Sequence, residues 1–180
     1  MKSRIFVVES VVKYRSVRAY DLAKNAPFVA STIYYALERL KNEGVVERRG
    51  EYYVPTFKAV LEYYKLKGCD DYLANALAAM VGLMKHMSQE ELCAVLRKMA
   101  VAEVDAKTPA AAIMEYFKGK LNVKELLSAD PEVKKFVAVV FAGADAEIDG
   151  DHTGLFVGGI FVGFCRKCGL VVAPYRNIRF

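Results

Sequence analysis

The feature that most constrains the fold of this chain is an apolar stripe near its N-terminus. Ile33, Leu37 and Leu40 recur at positions i, i+4 and i+7. This spacing places the three side chains on one side of a helix, which we predict over about residues 30–42. Gly44 follows where a helix commonly ends with a left-handed residue. The polar and aromatic residues between the stripe positions must therefore point away from the core.

Further elements are predicted on both sides of this helix. A shorter apolar stripe indicates a helix over about residues 17–24, and the link after it contains Pro27, which cannot continue a helix. Residues 45–48 and 51–54 are β-prone runs around an Arg-Gly pair, a pattern typical of a hairpin. An apolar helix over residues 5–12 precedes them all. The predicted order is helix, helix, turn, helix, hairpin.

The motifs in this segment resemble those of winged helix-turn-helix transcription regulators of bacteria and archaea (MarR-, ArsR- and PadR-like). The matching residues are Leu22-Ala23, then Ser31-Thr32-Ile33-Tyr34-Tyr35-Ala36-Leu37-Glu38-Arg39-Leu40, then Glu43-Gly44-Val45-Val46-Glu47-Arg48. The resemblance covers about residues 3–56 and implies a DNA-binding domain over residues 1–56. Val29 departs from it, because such domains often carry a Ser N-cap there.

The resemblance also implies which residues meet DNA. The 30–42 helix is expected in the major groove, with the basic hairpin on the backbone or in the minor groove. Arg39, late in the helix, is expected on a phosphate, whereas Arg18 suits either a phosphate contact or an ordinary solvated surface. The candidate DNA-binding residues are Ser31, Thr32, Tyr34, Tyr35, Arg39, Arg48, Arg49 and Arg18.

The distribution of charge agrees with this interpretation. Residues 1–56 carry ten Lys and Arg against six Asp and Glu, a net charge of +4, and residues 57–180 carry sixteen against fifteen. Nearly all the excess positive charge therefore lies on the segment expected to meet phosphates. Four excess charges are also an ordinary surface for a small domain, so charge alone does not decide the function.

The remainder, residues 57–180, is predicted to be a mainly helical dimerisation or effector domain, which makes the fold class mainly α. Capping residues, Asp-Pro and Thr-Pro pairs and capping boxes mark six helix starts. The predicted helices span about residues 57–67, 72–87, 89–103, 109–118, a short segment after 122, and 131–142.

The first of these helices carries more apolar surface than one face needs, through Tyr63, Tyr64 and Leu66. This excess is either a dimer seam or a second face buried within the helical bundle. We expect a homodimer formed somewhere in this region, since two recognition helices would match a two-fold operator. The pattern does not choose the helix.

Residues 143–154 are predicted to form the longest loop, and this loop is acidic. Its run of alternating acidic residues with Gly150 resembles the first half of a calcium loop, but Phe156 stands where the bidentate Glu is needed. A solvated acidic loop is the favoured interpretation. No cofactor is required by any motif in the chain.

The C-terminal segment, 154–180, is predicted to be β, with strands over 155–157 and 160–162 around Gly158-Gly159; a glycine-rich helix is the alternative. Cys165 and Cys168 then form a CxxC pair, which fits half of a zinc site, a redox pair or disulfide, or two inert thiols. Zinc would need further ligands, for which Cys69, Cys93, His86 and His152 are the candidates.

Several classes of protein are disfavoured. No apolar run reaches the length of a membrane span and no signal peptide is evident, so we expect a soluble, cytoplasmic protein without a membrane partner. No catalytic motif is present, and an enzyme is the least supported class. Two functions remain: a sequence-specific, homodimeric transcription regulator that binds double-stranded DNA, or an adaptor whose winged helix docks another protein of the transcription or replication machinery. No effector ligand or operator can be named.

Overall fold

The structure is a computed structural model that describes residues 2–117 and 130–142 and four strands beyond them. It is mainly helical, with two small antiparallel sheets. The elements are α1 (Lys2–Tyr14), β1 (Val17–Arg18), α2 (Ala19–Asn25), α3 (Ala30–Asn42), β2 (Val46–Arg49), β3 (Tyr52–Pro55), α4 (Phe57–Lys67), α5 (Asp71–Met80), a 3-10 helix (Gly82–His86), α6 (Gln89–Val101), α7 (Pro109–Phe117), α8 (Pro131–Ala142), β4 (Glu147–Asp149), β5 (His152–Val157), β6 (Ile160–Cys165) and β7 (Gly169–Pro174).

The chain forms two compact units. The first contains the described residues up to Ala79 and the returning segment Asp105–Thr108, and the second contains Met80–Val104 and the described residues from Pro109 onward. The first unit thus continues beyond residue 56, where the sequence placed a boundary. It does so because α4 packs against α1.

The core of the first unit forms where α1 and α2 pack on α3. The predicted stripe is confirmed: Ile33 and Leu37 are fully buried, and Leu40 is 1% exposed. Aliphatic side chains of α1 pack at the same core, and α3 begins and ends at the predicted residues. Val29 stands at the N-cap of α3 without a side-chain hydrogen bond. The fully buried aliphatic residues of α1 are Val7, Val8, Val11 and Val12.

The sheet of the first unit contains one strand that the sequence analysis placed in a helix. Val17 and Arg18 were predicted to begin α2, but they form β1, and α2 begins at Ala19. Val17 pairs with Tyr53 and is buried, which suits a β-branched residue in a sheet. The strand order is β1-β3-β2. Two residues are too few to show an alternating pattern, so periodicity could not reveal β1.

The predicted hairpin is confirmed, with each strand one residue later than expected. β2 pairs with β3 in register from Val46 opposite Pro55 to Arg49 opposite Tyr52. Gly50 lies in the turn with a φ of 61°, a conformation that favours glycine.

The start of α4 is held differently from the predicted cap. Thr56 is at the N-cap, but its hydroxyl lies 2.7 Å from the carbonyl oxygen of Gly44 and 2.9 Å from that of Val45. The backbone N–H of Phe57 instead donates to the carbonyl of Lys107 at 2.8 Å. The segment 105–108 therefore holds the start of α4. Thr56, buried, ties that start to the end of α3.

The helix predicted over residues 72–87 is shorter than expected. α5 ends at Met80, Val81 is extended with φ −136° and ψ 107°, and a 3-10 helix follows from Gly82. Glycine disfavours continuation of a helix, which gives a reason for the break there. Asp70 caps α5, because its Oδ1 accepts a 2.9 Å hydrogen bond from the backbone N–H of Leu73.

The second unit confirms most of the remaining helix starts. Ser88 and Glu91 form the predicted capping box at α6, and Pro109 and Pro131 open α7 and α8. The helix expected after residue 122 lies outside the described residues. α8 packs on α6, α7, the 3-10 helix and the second sheet.

The second sheet has the order β4-β5-β6-β7, with every pair antiparallel. The predicted C-terminal hairpin is confirmed, since β5 and β6 are antiparallel neighbours with Val157 opposite Ile160. The sheet is larger than expected, because β4 and β7 extend it on either side. The prediction of a loop over residues 143–154 is wrong where β4 and the start of β5 lie. Because Glu147 and Asp149 are in β4, their backbone follows a strand and not the coiled path of a calcium loop.

No helix among the described residues has both the length and the apolar character needed to cross a bilayer.

Gly44 provides a test of how the end of α3 is fixed. Its φ is 75°, and a methyl group there would overlap the Cε of Lys107. We expect Gly44→Ala to lower the free energy of unfolding by about 1–2 kcal/mol, because an L-residue is strained in the left-handed region. Chemical denaturation measures the change. Gly82→Ala is the control, because a methyl group there meets nothing within 4 Å; equal losses in both variants would contradict the expectation.

Candidate nucleic-acid interface

The outer face of α3 presents polar and aromatic side chains from a helix whose other face is buried. Tyr35 is 71% exposed and Tyr34 is 44% exposed. Ser31 is also exposed, and Thr32 is half-buried. The structure thus places five of the predicted contact residues on α3, these four and Arg39, in positions that the buried stripe dictates.

A hydrogen bond fixes the hairpin beside this helix. The hydroxyl of Tyr53, in β3, donates to Oε1 of Glu38 at 2.9 Å. Burial and this hydrogen bond raise the pKa of Tyr53, while hydrogen bonds from Lys41 and then Tyr53 lower the pKa of Glu38. Tyr53 therefore stays a donor and Glu38 an acceptor at neutral pH, and α3 and the hairpin form one surface.

The two hairpin arginines lie on opposite faces of the first sheet. Residues directly opposite each other on paired strands point to the same face. Arg48 is paired with Tyr53, so it shares the face that turns toward α3, and its charge lowers the pKa of Glu38. Arg49 is paired with Tyr52 and points the other way.

The face that carries Arg49 also carries Arg18. Arg18 is paired with Tyr52 from the other side, so Arg18, Tyr52 and Arg49 form one row across three strands. All three residues are exposed. Tyr52 is not among the predicted contact residues, because β1, which completes the row, was predicted to be helical. The alternation of β3 between Tyr52 outward and Tyr53 inward was the available signal.

Each candidate arginine already has a partner within the unit. Arg39 Nε donates to Oε1 of Glu43 at 2.9 Å, and Arg18 Nε donates to Oδ2 of Asp21 at 2.7 Å. Both side chains remain well exposed, at 65% and 50%. On the hairpin, Arg49 bonds the Glu47 carboxylate at 3.1 Å, and Arg48 bonds the carbonyl of Gly50 at 3.0 Å.

Glu43 is the carboxylate with the most cationic contacts on this surface. Arg4 and Arg39 both donate to it, and the pKa of Glu43 is lowered by Arg4 first and Arg39 second. Arg4 also donates to Oε1 of Glu62 at 2.7 Å. The ion pairs thus link the end of α3 to α1 and α4.

A cleft of about 540 Å³ lies beside the Arg18 side chain. It opens between α1, α2 and the sheet, with Val17 and Leu22 among its buried lining residues. The remaining lining residues are Phe6, Ser10, Tyr14, Ser16, Arg18, Asp21, Asn25 and Tyr52.

The structure does not test whether Cys165 and Cys168 bind a metal ion together. Cys165 ends β6 and is paired with Gly169, whereas Cys168 lies outside the described residues. Among the residues that are described, no group of three or more His, Cys, Asp or Glu could hold a metal ion. The zinc, redox and inert-thiol interpretations of the pair stay predictions.

No protein-family model, no curated protein and no solved structure matches this chain. The resemblance to winged helix-turn-helix regulators thus stays an interpretation of the motifs. A function is therefore proposed from the geometry of the surface formed by α3 and the first sheet.

The lowered pKa of Glu43 predicts a pH-dependent effect of Glu43→Gln. A carboxyl with a lower pKa in the folded state stabilises the fold above its unfolded pKa, and this contribution is lost as pH falls through the folded value. We expect the variant to lower the melting temperature near about pH 7, with a smaller difference from wild type near about pH 3.

Glu90→Gln is the matched control, since Glu90 is exposed on α6 and its exchange changes the net charge equally. We expect it to have little effect at either pH. A Glu43→Gln difference that is the same at both pH values would contradict the prediction.

Proposed function

We propose that this protein is a sequence-specific transcription regulator that binds double-stranded DNA through a winged helix-turn-helix and acts as a homodimer. The element order supports this proposal: α2, a four-residue link, α3, then a hairpin whose second strand pairs with β1. A helix-turn-helix places its second helix in the major groove, so α3 is the recognition helix.

The observation that carries the proposal is the two-sided character of α3. Its apolar stripe is fully buried, and the opposite side presents hydroxyl groups of Ser31, Tyr34 and Tyr35 to solvent. The major groove is about 12 Å wide and admits one α-helix, whose side chains then reach the base edges. Glu38, on the same side, adds an acceptor of the kind that bonds the amino group of cytosine.

Arginines at the end of that helix and on both faces of the first sheet are the proposed phosphate contacts. Arg39 lies at the end of α3, Arg48 on the sheet face toward α3, and Arg49 on the opposite face with Arg18. Exposed ion pairs stabilise a protein by only about 0.2–1 kcal/mol, so a phosphate can replace Glu43, Glu47 or Asp21 as the partner. Because each arginine gives up a carboxylate to bind a phosphate, the affinity for DNA is moderate. The phosphate contacts make this affinity fall as the salt concentration rises.

The homodimer is proposed because two recognition helices match a two-fold operator, and not because an interface between two copies is defined. Tyr63 of α4 is buried in its own unit, so the apolar excess of this helix is partly internal. Leu66 of α4 is 44% exposed, and Val101 and Met114 of the second unit are 81% and 59% exposed. Each of these residues, on its own unit, offers exposed apolar surface to a second copy.

The adaptor is the competing proposal, and one observation favours it. Val29, at the N-cap of α3, and Tyr35, in the middle of this helix, are each 71% exposed. Aromatic residues are enriched where proteins dock, and two large exposed side chains on a recognition helix would suit such a partner. An adaptor predicts little affinity for DNA at any salt concentration.

The regulator proposal is tested by duplex binding, measured as fluorescence anisotropy over a range of salt concentrations. We expect wild type to bind at low salt and to weaken steeply as salt rises. The triple variant Arg39→Ala/Arg48→Ala/Arg49→Ala should bind more weakly, with the slope of log affinity against log salt reduced by up to about three, or about one per phosphate contact.

The matched control is Lys65→Ala/Lys85→Ala/Arg97→Ala, which removes three exposed cations from elements other than α2, α3 and the hairpin. It should retain most of the affinity and the slope. Absence of binding by wild type at every salt concentration would favour the adaptor. Equal losses in the two triple variants would count against DNA binding by this surface.

Base recognition by α3 is tested separately, on duplexes selected by wild type from a random pool. Tyr35→Phe and Ser31→Ala each remove one hydroxyl from the exposed side. We expect a loss of about 1–3 kcal/mol on the selected duplex for a hydroxyl that reads a base, with little loss on a scrambled duplex and an unchanged salt slope. Equal losses on both duplexes would assign the hydroxyl to the backbone.

A further inference from the structure

Four charged side chains form a continuous chain at the end of α3. Arg39 donates to one oxygen of Glu43, and Arg4 donates to the other. The second terminal nitrogen of Arg4 then donates to Glu62 of α4 at 2.7 Å. The order Arg39, Glu43, Arg4, Glu62 therefore runs from the exposed surface of α3 into the contact between α1 and α4.

Exposure divides this chain into an inner and an outer part. The side chains of Arg4, Glu43 and Glu62 are 32%, 33% and 26% exposed, whereas that of Arg39 is 65% exposed. The inner three are held by packing between helices and by charge-assisted hydrogen bonds. Arg39 is thus the member that can leave its partner at the least cost.

Glu43 occupies an unfavourable place for a carboxylate. It is the C-cap residue of α3, where the helix dipole already carries partial negative charge. It also lies beside the arginine expected on a phosphate, so an uncompensated charge there would repel the duplex. Arg4 is the group that keeps this carboxylate compensated when Arg39 turns away.

We propose that Glu43 competes with DNA for Arg39: its carboxylate holds Arg39 along the last turn of α3 until a DNA phosphate replaces it, while Arg4 keeps Glu43 neutralised in the complex. This inference rests on the proposed DNA binding. It assigns Arg4, on a different helix from the recognition helix, an indirect part in affinity. Arg4 acts through Glu43 and does not need to touch DNA.

The test uses Arg4→Met, which removes the charge and keeps much of the aliphatic stem. On a selected duplex at low salt, we expect it to weaken binding about fivefold, because Glu43 is left unpaired once Arg39 moves to phosphate. Adding Glu43→Gln should restore affinity to near that of wild type. Circular dichroism melting confirms that each variant is folded at the temperature of measurement.

The matched control is Arg4→Met/Glu62→Gln. It has the same net charge as Arg4→Met/Glu43→Gln and also removes one of the two carboxylates that Arg4 bonds. We expect no restoration, since Glu62 does not contact Arg39. Equal restoration by both double variants would overturn the inference, because general charge or fold stability would then explain the effect.

A second measurement leaves Arg4 in place and does not depend on the folding of its variant. Arg39→Ala should weaken DNA binding about twofold more in a Glu43→Gln background than in wild type, because Arg39 no longer gives up an ion pair when it binds phosphate. An equal loss in both backgrounds would overturn the inference. If wild type itself fails to bind duplex DNA, the proposed function fails first, and the two failures are therefore distinguishable.

Discussion

The burial of one stripe of α3 is the interaction on which the candidate surface depends. Because Ile33, Leu37 and Leu40 must pack into the core, the rotation of the helix about its axis is fixed. The polar and aromatic residues between them are then directed outward, whereas the small Ala36 is buried with the stripe. The same packing that makes the unit stable therefore selects the side chains that a partner meets.

The first sheet arranges the basic residues in the same indirect way. Its register, and not the order of residues along the chain, brings Arg18 into one row with Arg49 across Tyr52. The same register separates Arg48 from its neighbour Arg49 and directs it toward α3. Arginines adjacent in sequence thus face different directions, and arginines far apart in sequence share a face. Contacts with a duplex would be spread along both sides of the hairpin.

Sequence reasoning succeeded where a local signal was strong and failed where the deciding contact was distant. The limits of α3, the hairpin and the capping box at Ser88 follow from side chains within a few residues of each other. The two-residue β1 forms because Val17 pairs with Tyr53, far along the chain. The cap at Thr56 differs because its hydroxyl donates to the carbonyls of Gly44 and Val45, before the hairpin. The predicted contact residues on α3 are exposed except Thr32, which is half-buried. The ion pair of Arg4 with Glu43, the partner of Arg39, was not predicted, because no periodicity links α1 to the end of α3.

The pairing of each arginine with an acidic or carbonyl partner bears on how such a surface would discriminate among ligands. Arginines without partners would bind any polyanion, since phosphate contact carries no sequence information. Here a phosphate must replace a carboxylate at Arg18, Arg39 and Arg49, which reduces the gain from each contact. A larger share of the binding free energy then has to come from base contacts of α3. Acidic residues beside a basic interface would in this way favour selectivity over affinity.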